Sequence, residues 1–221
     1  MSAYRAVIFD LDGTLLDSLA DIADSLNKVL ASMGLPTHSR DAYRYMVGAG
    51  MDTLVQRALP PGRQDPATAT RALAAMRREY ERNWCRQTRP YPEISDLLAA
   101  LEQRGIAMAV LSNKPEEFTR KSVAALLEPA YFQAIRGARP DTPKKPDPAG
   151  ALALAAQLAL PVEEFLYVGD SGIDMQTAKA AGMFAVGVLW GFRSEAELVE
   201  SGAAALIGRP LELLELLGEK R

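Results

Sequence analysis

The chain has 221 residues, 48% of them hydrophobic and 24% charged, and a formal net charge of −3 at pH 7. Because acidic and basic residues nearly balance, we expect no basic surface for nucleic acid. The chain has one cysteine, Cys85, and one histidine, His38, which excludes an internal disulfide and a structural Cys/His zinc site. Chemistry carried by carboxylates, hydroxyls, Lys or Arg is therefore favoured over a Ser-His-Asp or Cys-His constellation.

The first predicted elements are one strand and a long helical segment. Residues 5–9 are apolar and stop at Asp10, which is typical of a strand buried on both faces. The periodicity of residues 17–90 is helical, with predicted helices at 19–33, 41–47, 51–59 and 67–84 and no convincing strand. We therefore expect a helical subdomain of residues 17–90, inserted into a core of residues 1–16 and 91–221.

Strands and helices alternate over the rest of the chain. Helical patterns at residues 94–104, 116–127, 148–160 and 172–181 are interleaved with apolar strands at 106–111, 132–135, 165–168 and 184–188. This alternation implies βαβ units with right-handed crossovers. The predicted fold class is α/β, with a Rossmann-like open parallel sheet flanked by helices. No apolar segment is long enough for a signal peptide or a membrane span, so we expect a cytoplasmic protein with no membrane partner.

Polar residues follow the predicted strands, at the edge where open α/β sheets bind ligands. Asp10 and Asp12 can point to one side, and two close carboxylates repel unless a cation lies beside them or one is protonated. Ser112 and Asn113 can hold a phosphoryl oxygen, although both residue types also cap helices. The first two clusters therefore indicate an anion or a metal at this edge, each with a structural alternative.

Two later clusters complete the pattern. Lys144 and Lys145 precede Pro146, and alone they would indicate no more than an exposed basic turn. Asp170 and Asp174 lie four residues apart where a strand passes into a helix, a place where Asp170 could also serve as an N-cap. In combination, and in this chain order, the four clusters predict one site of carboxylates, a hydroxyl, an amide and a lysine.

These motifs resemble those of the haloacid dehalogenase-like hydrolase superfamily, and within it those of phosphatases with a small helical cap inserted after the first motif. The core motifs, as they stand in this chain, are Asp10-Leu11-Asp12-Gly13-Thr14, Leu111-Ser112-Asn113-Lys114, Lys145-Pro146-Asp147-Pro148 and Gly169-Asp170-Ser171-Gly172-Ile173-Asp174. Further features of the subgroup are Leu16-Asp17-Ser18 and Val47-Gly48-Ala49-Gly50. Relatives often have Asn where this chain has Ala49, which leaves the substrate more open.

The resemblance implies a Mg²⁺-dependent phosphatase that forms an aspartyl-phosphate on Asp10. It makes Asp12 the general acid and then the general base, and it pairs Lys145 with Asp10 and the phosphoryl group. It places Mg²⁺ on the Asp10 carboxylate, the Asp12 carbonyl and Asp170, with Asp174 beside the ion.

The resemblance also implies contacts with the substrate from both parts of the chain. The candidate substrate-binding residues are Thr14, Ser112, Asn113, Gly48, Gly50 and Arg57. Thr14 could instead cap its own turn, Gly48 and Gly50 could form a plain interhelical turn, and Arg57 could lie on a solvated helix face. The cap contacts are therefore the more open part of the prediction.

The expected partner is a small phosphorylated metabolite, with 2-phosphoglycolate as the leading candidate and a monomer or homodimer as the expected assembly. The alternatives are a phosphatase of another sugar or nucleotide phosphate, or a phosphomutase on the same core. A phosphonatase would need a Schiff-base lysine in the cap, where Lys28 is the one lysine, and Asp12 disfavours a dehalogenase. An inactive binding protein would lack a motif carboxylate, yet Asp10, Asp12, Asp170 and Asp174 are all present.

Overall fold

The structure is a computed structural model, and it describes residues 4–218. The strands are β1 (Ala6–Phe9), β2 (Leu16–Asp17), β3 (Arg89–Pro90), β4 (Ala107–Pro115), β5 (Phe132–Ala138), β6 (Phe165–Gly169), β7 (Phe184–Val188) and β8 (Ala205–Ile207). The α-helices are α1 (Leu19–Ser32), α2 (Arg40–Met46), α3 (Met51–Ala58), α4 (Pro66–Asn83), α5 (Ile94–Gln103), α6 (Glu116–Leu126), α7 (Ala149–Leu158), α8 (Gly172–Ala181), α9 (Glu195–Glu200) and α10 (Leu213–Leu216).

Six strands form one parallel sheet in the order β5-β4-β1-β6-β7-β8. The predicted α/β class with an open parallel sheet is confirmed. Strand β8 was not predicted, because three residues are too few to show a strand period. The strand predicted at residues 106–111 is longer in the structure, where β4 continues to Pro115 with an irregular register against β5.

The central strand β1 is apolar throughout because both of its faces are covered. Val7 and Phe9 belong to an apolar cluster with residues of α5, α6 and α10, and Ala6 and Ile8 belong to a second cluster with residues of α7, α8 and α9. Successive side chains of a strand point to opposite faces, so each face needs its own helical layer. Burial of an Ile or Phe side chain contributes roughly 1.5–3 kcal/mol, which fixes β1 and the residues that follow it.

Helices α1 to α4 supply most of a third apolar cluster, in which Tyr43 and Tyr80 are fully buried and which Phe118 and Phe192 of the core complete. This helical cap is joined to the sheet through β2 and β3, which pair antiparallel with Leu16 opposite Pro90 and Asp17 opposite Arg89. The expectation of no strand within residues 17–90 is therefore wrong at these positions. Two-residue strands leave no periodic signal, and their pairing joins positions more than 70 residues apart.

A buried carboxylate fastens the two ends of the cap to each other. Asp21, in the first turn of α1, accepts hydrogen bonds from Gln87 N at 2.9 Å, from Thr88 N at 2.8 Å and from Thr88 Oγ1 at 2.7 Å. Its side chain is almost wholly shielded from solvent. Buried donors need acceptors, so Asp21 determines where the chain leaves the cap.

None of the helices within residues 4–218 combines the length and the apolar character that a bilayer crossing requires.

Candidate active site

The predicted motif residues meet at the carboxyl edge of the sheet. Asp10 directly follows β1, Ser112 lies near the end of β4, and Asp170 directly follows β6. The order of strands places β1 between β4 and β6, so these three chain ends are neighbours. Lys145 lies in the loop before α7, and Asp174 lies in the first turn of α8. Side chains separated by up to 164 positions therefore share one small volume.

Lys145 lies between two of the carboxylates. Its Nζ is 2.8 Å from Asp10 Oδ1 and 2.7 Å from Asp174 Oδ1, and its side chain is 2% exposed. Burial disfavours the charged ammonium, but the charges of Asp10 and Asp174 outweigh it and hold the pKa of Lys145 well above its usual value. The neighbouring Lys144 instead pairs with Asp52 of the cap at 2.5 Å. Of the two lysines in the motif, Lys145 is the one at Asp10.

Three buried carboxylates face one another beside this lysine. Oxygens of Asp10, Asp170 and Asp174 all lie within 4.8 Å of one another. Burial raises the pKa of Asp10 to about 7, against the opposing effect of Lys145. Burial, followed by the charges of Asp174 and Asp10, raises the pKa of Asp170 well above its usual value. When all three are ionised, the carboxylates carry more negative charge than one ammonium balances, and a bound cation favours that ionised state.

Three glycines approach these carboxylates more closely than any other residue could. A Cβ on Gly191 would lie 2.2 Å from Asp170 Cβ, and one on Gly13 would lie 2.3 Å from Asp170 Oδ2. A Cβ on Gly169 would lie 2.3 Å from Asp174 Cβ. The main chain therefore forms a close cradle around the acidic side chains, which Phe192 N reinforces with a 2.8 Å hydrogen bond to Asp170 Oδ2.

The side chain of Asn113 connects three segments. Its Nδ2 donates to the carbonyl oxygens of Gly48 and Lys145, each at 3.0 Å, and its Oδ1 accepts from Lys145 N at 2.9 Å. Because the side-chain amide is engaged in this way, a phosphoryl oxygen could contact Asn113 only at its main-chain N–H. Gly48 and Gly50 of the cap line the cavity beside Asn113.

Two further residues predicted to contact the substrate are Arg57 and Thr14. Arg57 is exposed, and its guanidinium donates to the carbonyl oxygens of Tyr45 and Met46 at the end of α2. The structure therefore assigns it to the helix face that was the alternative in the sequence analysis. Thr14 is 1% exposed, its carbonyl accepts from Trp190 Nε1 at 3.0 Å, and its hydroxyl has no hydrogen-bond partner among residues 4–218. Neither side chain lines the cavity described next.

A small cavity of about 50 Å³ lies between the cap and the core. Its floor is polar and belongs to the core, whereas its roof belongs to the cap and is almost entirely apolar. The floor consists of Asp10, Asp12, Ser112, Asn113, Lys114 and Pro115, and the roof of Ile22, Val47, Gly48, Gly50, Met51, Leu54, Met76 and Tyr80. A bound molecule would therefore meet charged groups on one side and hydrocarbon on the other.

Lys114 is a site residue to which the sequence analysis gave no role. Its Nζ is 2.9 and 3.1 Å from the two oxygens of Asp12 and 2.7 Å from Tyr80 Oη, and Ser18 Oγ donates to Asp12 Oδ1 at 2.6 Å. Burial opposes its charge, but Asp12 and Tyr80 together raise its pKa. The one feature of the sequence that pointed to Lys114 as a site residue was its position directly after Asn113. Its partner Tyr80 depends on the packing of the cap and had no signal in the sequence.

Comparisons with known proteins agree with this geometry. A family model for haloacid dehalogenase-like hydrolases matches residues 7–188. A curated phosphoglycolate phosphatase of Pseudomonas putida is 38% identical over 192 residues, which cover 85% of this chain and 70% of that protein. A curated phosphoglycolate phosphatase of Aquifex aeolicus is 34% identical over 213 residues, 96% of each chain.

The fold also matches solved structures. A protein of Lactobacillus delbrueckii subsp. bulgaricus superimposes with a TM-score of 0.92 at 30% identity, covering 99% of this chain and 100% of that one. The predictions of an enzyme and of this family are confirmed. The chain belongs to the haloacid dehalogenase-like hydrolase family.

Proposed function

We propose that this hydrolase removes the phosphoryl group from a small organic phosphate monoester, and that its substrate is 2-phosphoglycolate. The observation that carries the reaction class is the buried Asp10–Lys145 pair, with two further carboxylates beside it at the edge of the sheet. The names of the relatives from Pseudomonas putida and Aquifex aeolicus support the substrate.

The donor set of the site fits a divalent cation. Mg²⁺ prefers oxygen ligands, and the three buried carboxylates face a single ammonium in a cradle of glycines. We assign Mg²⁺ to the carboxylates of Asp10 and Asp170 and to the main-chain carbonyl of Asp12. Both Asp174 oxygens already accept hydrogen bonds, from Lys145 and Ser171, which favours an orienting role for Asp174. When bound, the ion balances negative charge between the carboxylates and the phosphoryl oxygens.

In the first step, an Asp10 carboxylate oxygen attacks phosphorus and the bond from phosphorus to the ester oxygen breaks. Asp12 gives a proton to the departing alkoxide, so glycolate leaves and an aspartyl-phosphate remains on Asp10. Ser18 and Lys114 hold the Asp12 carboxyl at the floor of the cavity. Lys145 and the Asn113 main-chain N–H stabilise the charge of the transferring group, with the Ser112 hydroxyl as a further donor.

In the second step, Asp12 takes a proton from a water molecule that attacks phosphorus. The acyl phosphate bond breaks, inorganic phosphate is released, and Asp10 returns to its carboxylate. The proton that Asp12 gave to the alkoxide is thereby recovered. The apolar roof limits bulk water around the reacting groups, and Gly48 and Gly50 let the cap main chain approach the floor.

A phosphonatase is disfavoured by the position of Lys28. Its Nζ pairs with Glu79 at 2.6 Å, its side chain is 70% exposed, and it does not line the cavity. A Schiff-base lysine needs a shielded position next to its substrate. No comparable observation favours a phosphomutase over a phosphatase.

The test is phosphate release from 2-phosphoglycolate, glucose 6-phosphate and AMP, measured as kcat/KM with Mg²⁺ present. We expect 2-phosphoglycolate to rank first, Asp10→Asn to lose activity by at least about 10⁴-fold, and beryllofluoride to bind only to the unaltered enzyme. Asp96→Asn, at an exposed aspartate of α5, is the matched control and should leave kcat/KM unchanged. Turnover by Asp10→Asn would refute the nucleophile, and a higher rank for the sugar or nucleotide phosphate would refute the substrate.

A further inference from the structure

We propose that Lys114 and Tyr80 form a subsite for the carboxylate of the substrate's leaving group, an inference that rests on the proposed function. The subsite recognises the second anionic group of a short phosphorylated acid, at the opposite end from the phosphoryl group. Lys114 belongs to strand β4 of the core and Tyr80 to helix α4 of the cap.

The charges around the cavity leave one place for a second anion. Lys114 is the one basic side chain among the described residues that line the cavity, and the other charged lining residues are Asp10 and Asp12. Lys145 contacts Asp10 but does not line the cavity, and Arg57 lies on the surface. An anionic group of the substrate beyond the phosphoryl group would therefore have Lys114 as its cationic partner.

The donors of this pair can serve an additional acceptor. Both oxygens of Asp12 accept from the same Lys114 ammonium, so a substrate carboxylate can take one of these contacts while Asp12 keeps the other. Tyr80 Oη accepts from Lys114, and its own proton has no acceptor among residues 4–218. An ammonium and a phenolic O–H therefore adjoin one another at the cavity wall, and together they match a carboxylate.

The geometry of the subsite is fixed in advance. The Lys114 side chain is 4% exposed, and its Nζ lies 4.9 Å from the centre of the Tyr80 ring. The Phe118 ring packs edge-on against Tyr80, with ring centres 5.1 Å apart. Buried and held donors discriminate strongly, because a substrate without the matching acceptor leaves them unpaired.

The roof explains why a short acid fits better than a sugar phosphate. Apart from the Tyr80 hydroxyl, the side chains of the roof offer hydrocarbon and thioether groups. Several sugar hydroxyls would lose hydrogen bonds to water against this surface without regaining them. A two-carbon acid has no hydroxyl to satisfy once its phosphoryl group lies at Asp10 and its carboxylate at Lys114.

The experiment compares two substrates of nearly equal shape, 2-phosphoglycolate and 2-phosphoglycolamide, whose neutral amide replaces the carboxylate. The measured quantity is the preference ratio, the kcat/KM for the acid divided by the kcat/KM for the amide. We expect Lys114→Met to lower this ratio by roughly 100-fold, because the acid loses an ion pair whereas the amide loses only a hydrogen bond to a neutral acceptor. Tyr80→Phe removes an uncharged donor, from which the amide oxygen could also accept, and should lower the ratio less, by roughly 5-fold to 10-fold.

Lys121→Met is the matched control. Lys121 also joins core to cap, since it pairs with Glu81 of α4, and its Nζ lies 5.7 Å from the Phe118 ring centre. It does not line the cavity, so its loss should leave the preference ratio unchanged. Thermal unfolding of each variant, with and without phosphate, establishes that the compared proteins are folded.

The possible results distinguish a failure of the proposed carboxylate subsite from a failure of the proposed phosphatase function. If Lys114→Met slows both substrates equally, the lysine acts through Asp12 or the phosphoryl group, and the subsite is refuted while the phosphatase stands. An unaltered enzyme that hydrolyses acid and amide equally well refutes the subsite in the same way. If the unaltered enzyme hydrolyses neither, the proposed function fails, and the subsite fails with it.

Discussion

The substitution Gly191→Ala tests whether the glycine cradle positions the acidic cluster. Gly191 lies in the loop after β7, and an added Cβ would lie 2.2 Å from Asp170 Cβ and 2.6 Å from the carbonyl oxygen of Gly13. Ordinary contact begins near 3.4 Å, so the loop and Asp170 must separate by about 1.2 Å. Both neighbouring atoms belong to or adjoin the main chain, which leaves no flexible side-chain end to absorb the shift.

A displacement of this size should be costly for catalysis. Misplacement of a catalytic group by about 1 Å lowers rates by roughly 100-fold, and we expect kcat of Gly191→Ala to fall by about that factor. The Mg²⁺ concentration for half-maximal activity should rise, because we propose Asp170 as a ligand of the ion. Overpacking should also lower the free energy of unfolding by about 1–3 kcal/mol.

The assay is phosphate release at saturating substrate over a range of Mg²⁺ concentrations, together with urea unfolding. Gly208→Ala is the matched control, since Gly208 follows β8 as Gly191 follows β7, yet its added Cβ meets nothing nearer than 3.8 Å. If Gly191→Ala keeps kcat and the Mg²⁺ requirement within threefold of the unaltered enzyme, the proposed positioning of Asp170 by this loop is wrong.

Three further predictions concern stability and the metal. Asp21→Ala removes the acceptor of two buried Thr88 donors and of the partly buried Gln87 N–H, and should lower the free energy of unfolding by about 3 kcal/mol. Asp24 lies on the same helix but in an exposed ion pair, so Asp24→Ala should change it by under about 1 kcal/mol. Equal urea midpoints for the two variants would contradict this. Hydrogen bonds to the Glu116 carboxylate, of which the one from Arg139 has the largest effect, lower its pKa to about 2. Because the pKa of Glu116 is depressed in the folded state, the stability that its carboxylate contributes is present above about pH 4.5 and is lost towards pH 2. The free energy of unfolding of Glu116→Gln should therefore be lower than that of the unaltered protein at pH 7, by about 1 kcal/mol or less, and this difference should shrink in acid. Dialysis against EDTA should abolish phosphate release and added Mg²⁺ should restore it, and activity that survives chelation would remove Mg²⁺ from the mechanism.

The core of the site was predictable because it depends on short-range pattern and one topological rule. Asp10 and Asp170 directly follow apolar strands, and parallel strands bring their carboxyl ends to one edge of the sheet. Lys145 could be placed there by its motif, and the structure positions its ammonium between Asp10 and Asp174. These conclusions needed no knowledge of how the cap packs.

The cap contributions were not predictable, for a physical reason. Tyr80 and Arg57 lie on helices of similar pattern, yet one side chain is buried against Lys114 and the other binds the end of α2. Helical period shows which positions share a face but does not show what that face meets. Gly191 escaped notice for a related reason, because its closeness to Asp170 becomes visible only once β7 is placed beside β6.

The paired strands β2 and β3 bear on how such a protein can diversify. The cap begins and ends in one hydrogen-bonded ribbon, with Asp17 opposite Arg89, so the two points of insertion are only about 5 Å apart. A replacement segment of almost any length could be joined there without stretching the sheet or moving Asp10. Selection can therefore rebuild the roof, which supplies Tyr80 and the apolar surface of the cavity, without displacing Asp10 or Lys114 in the floor.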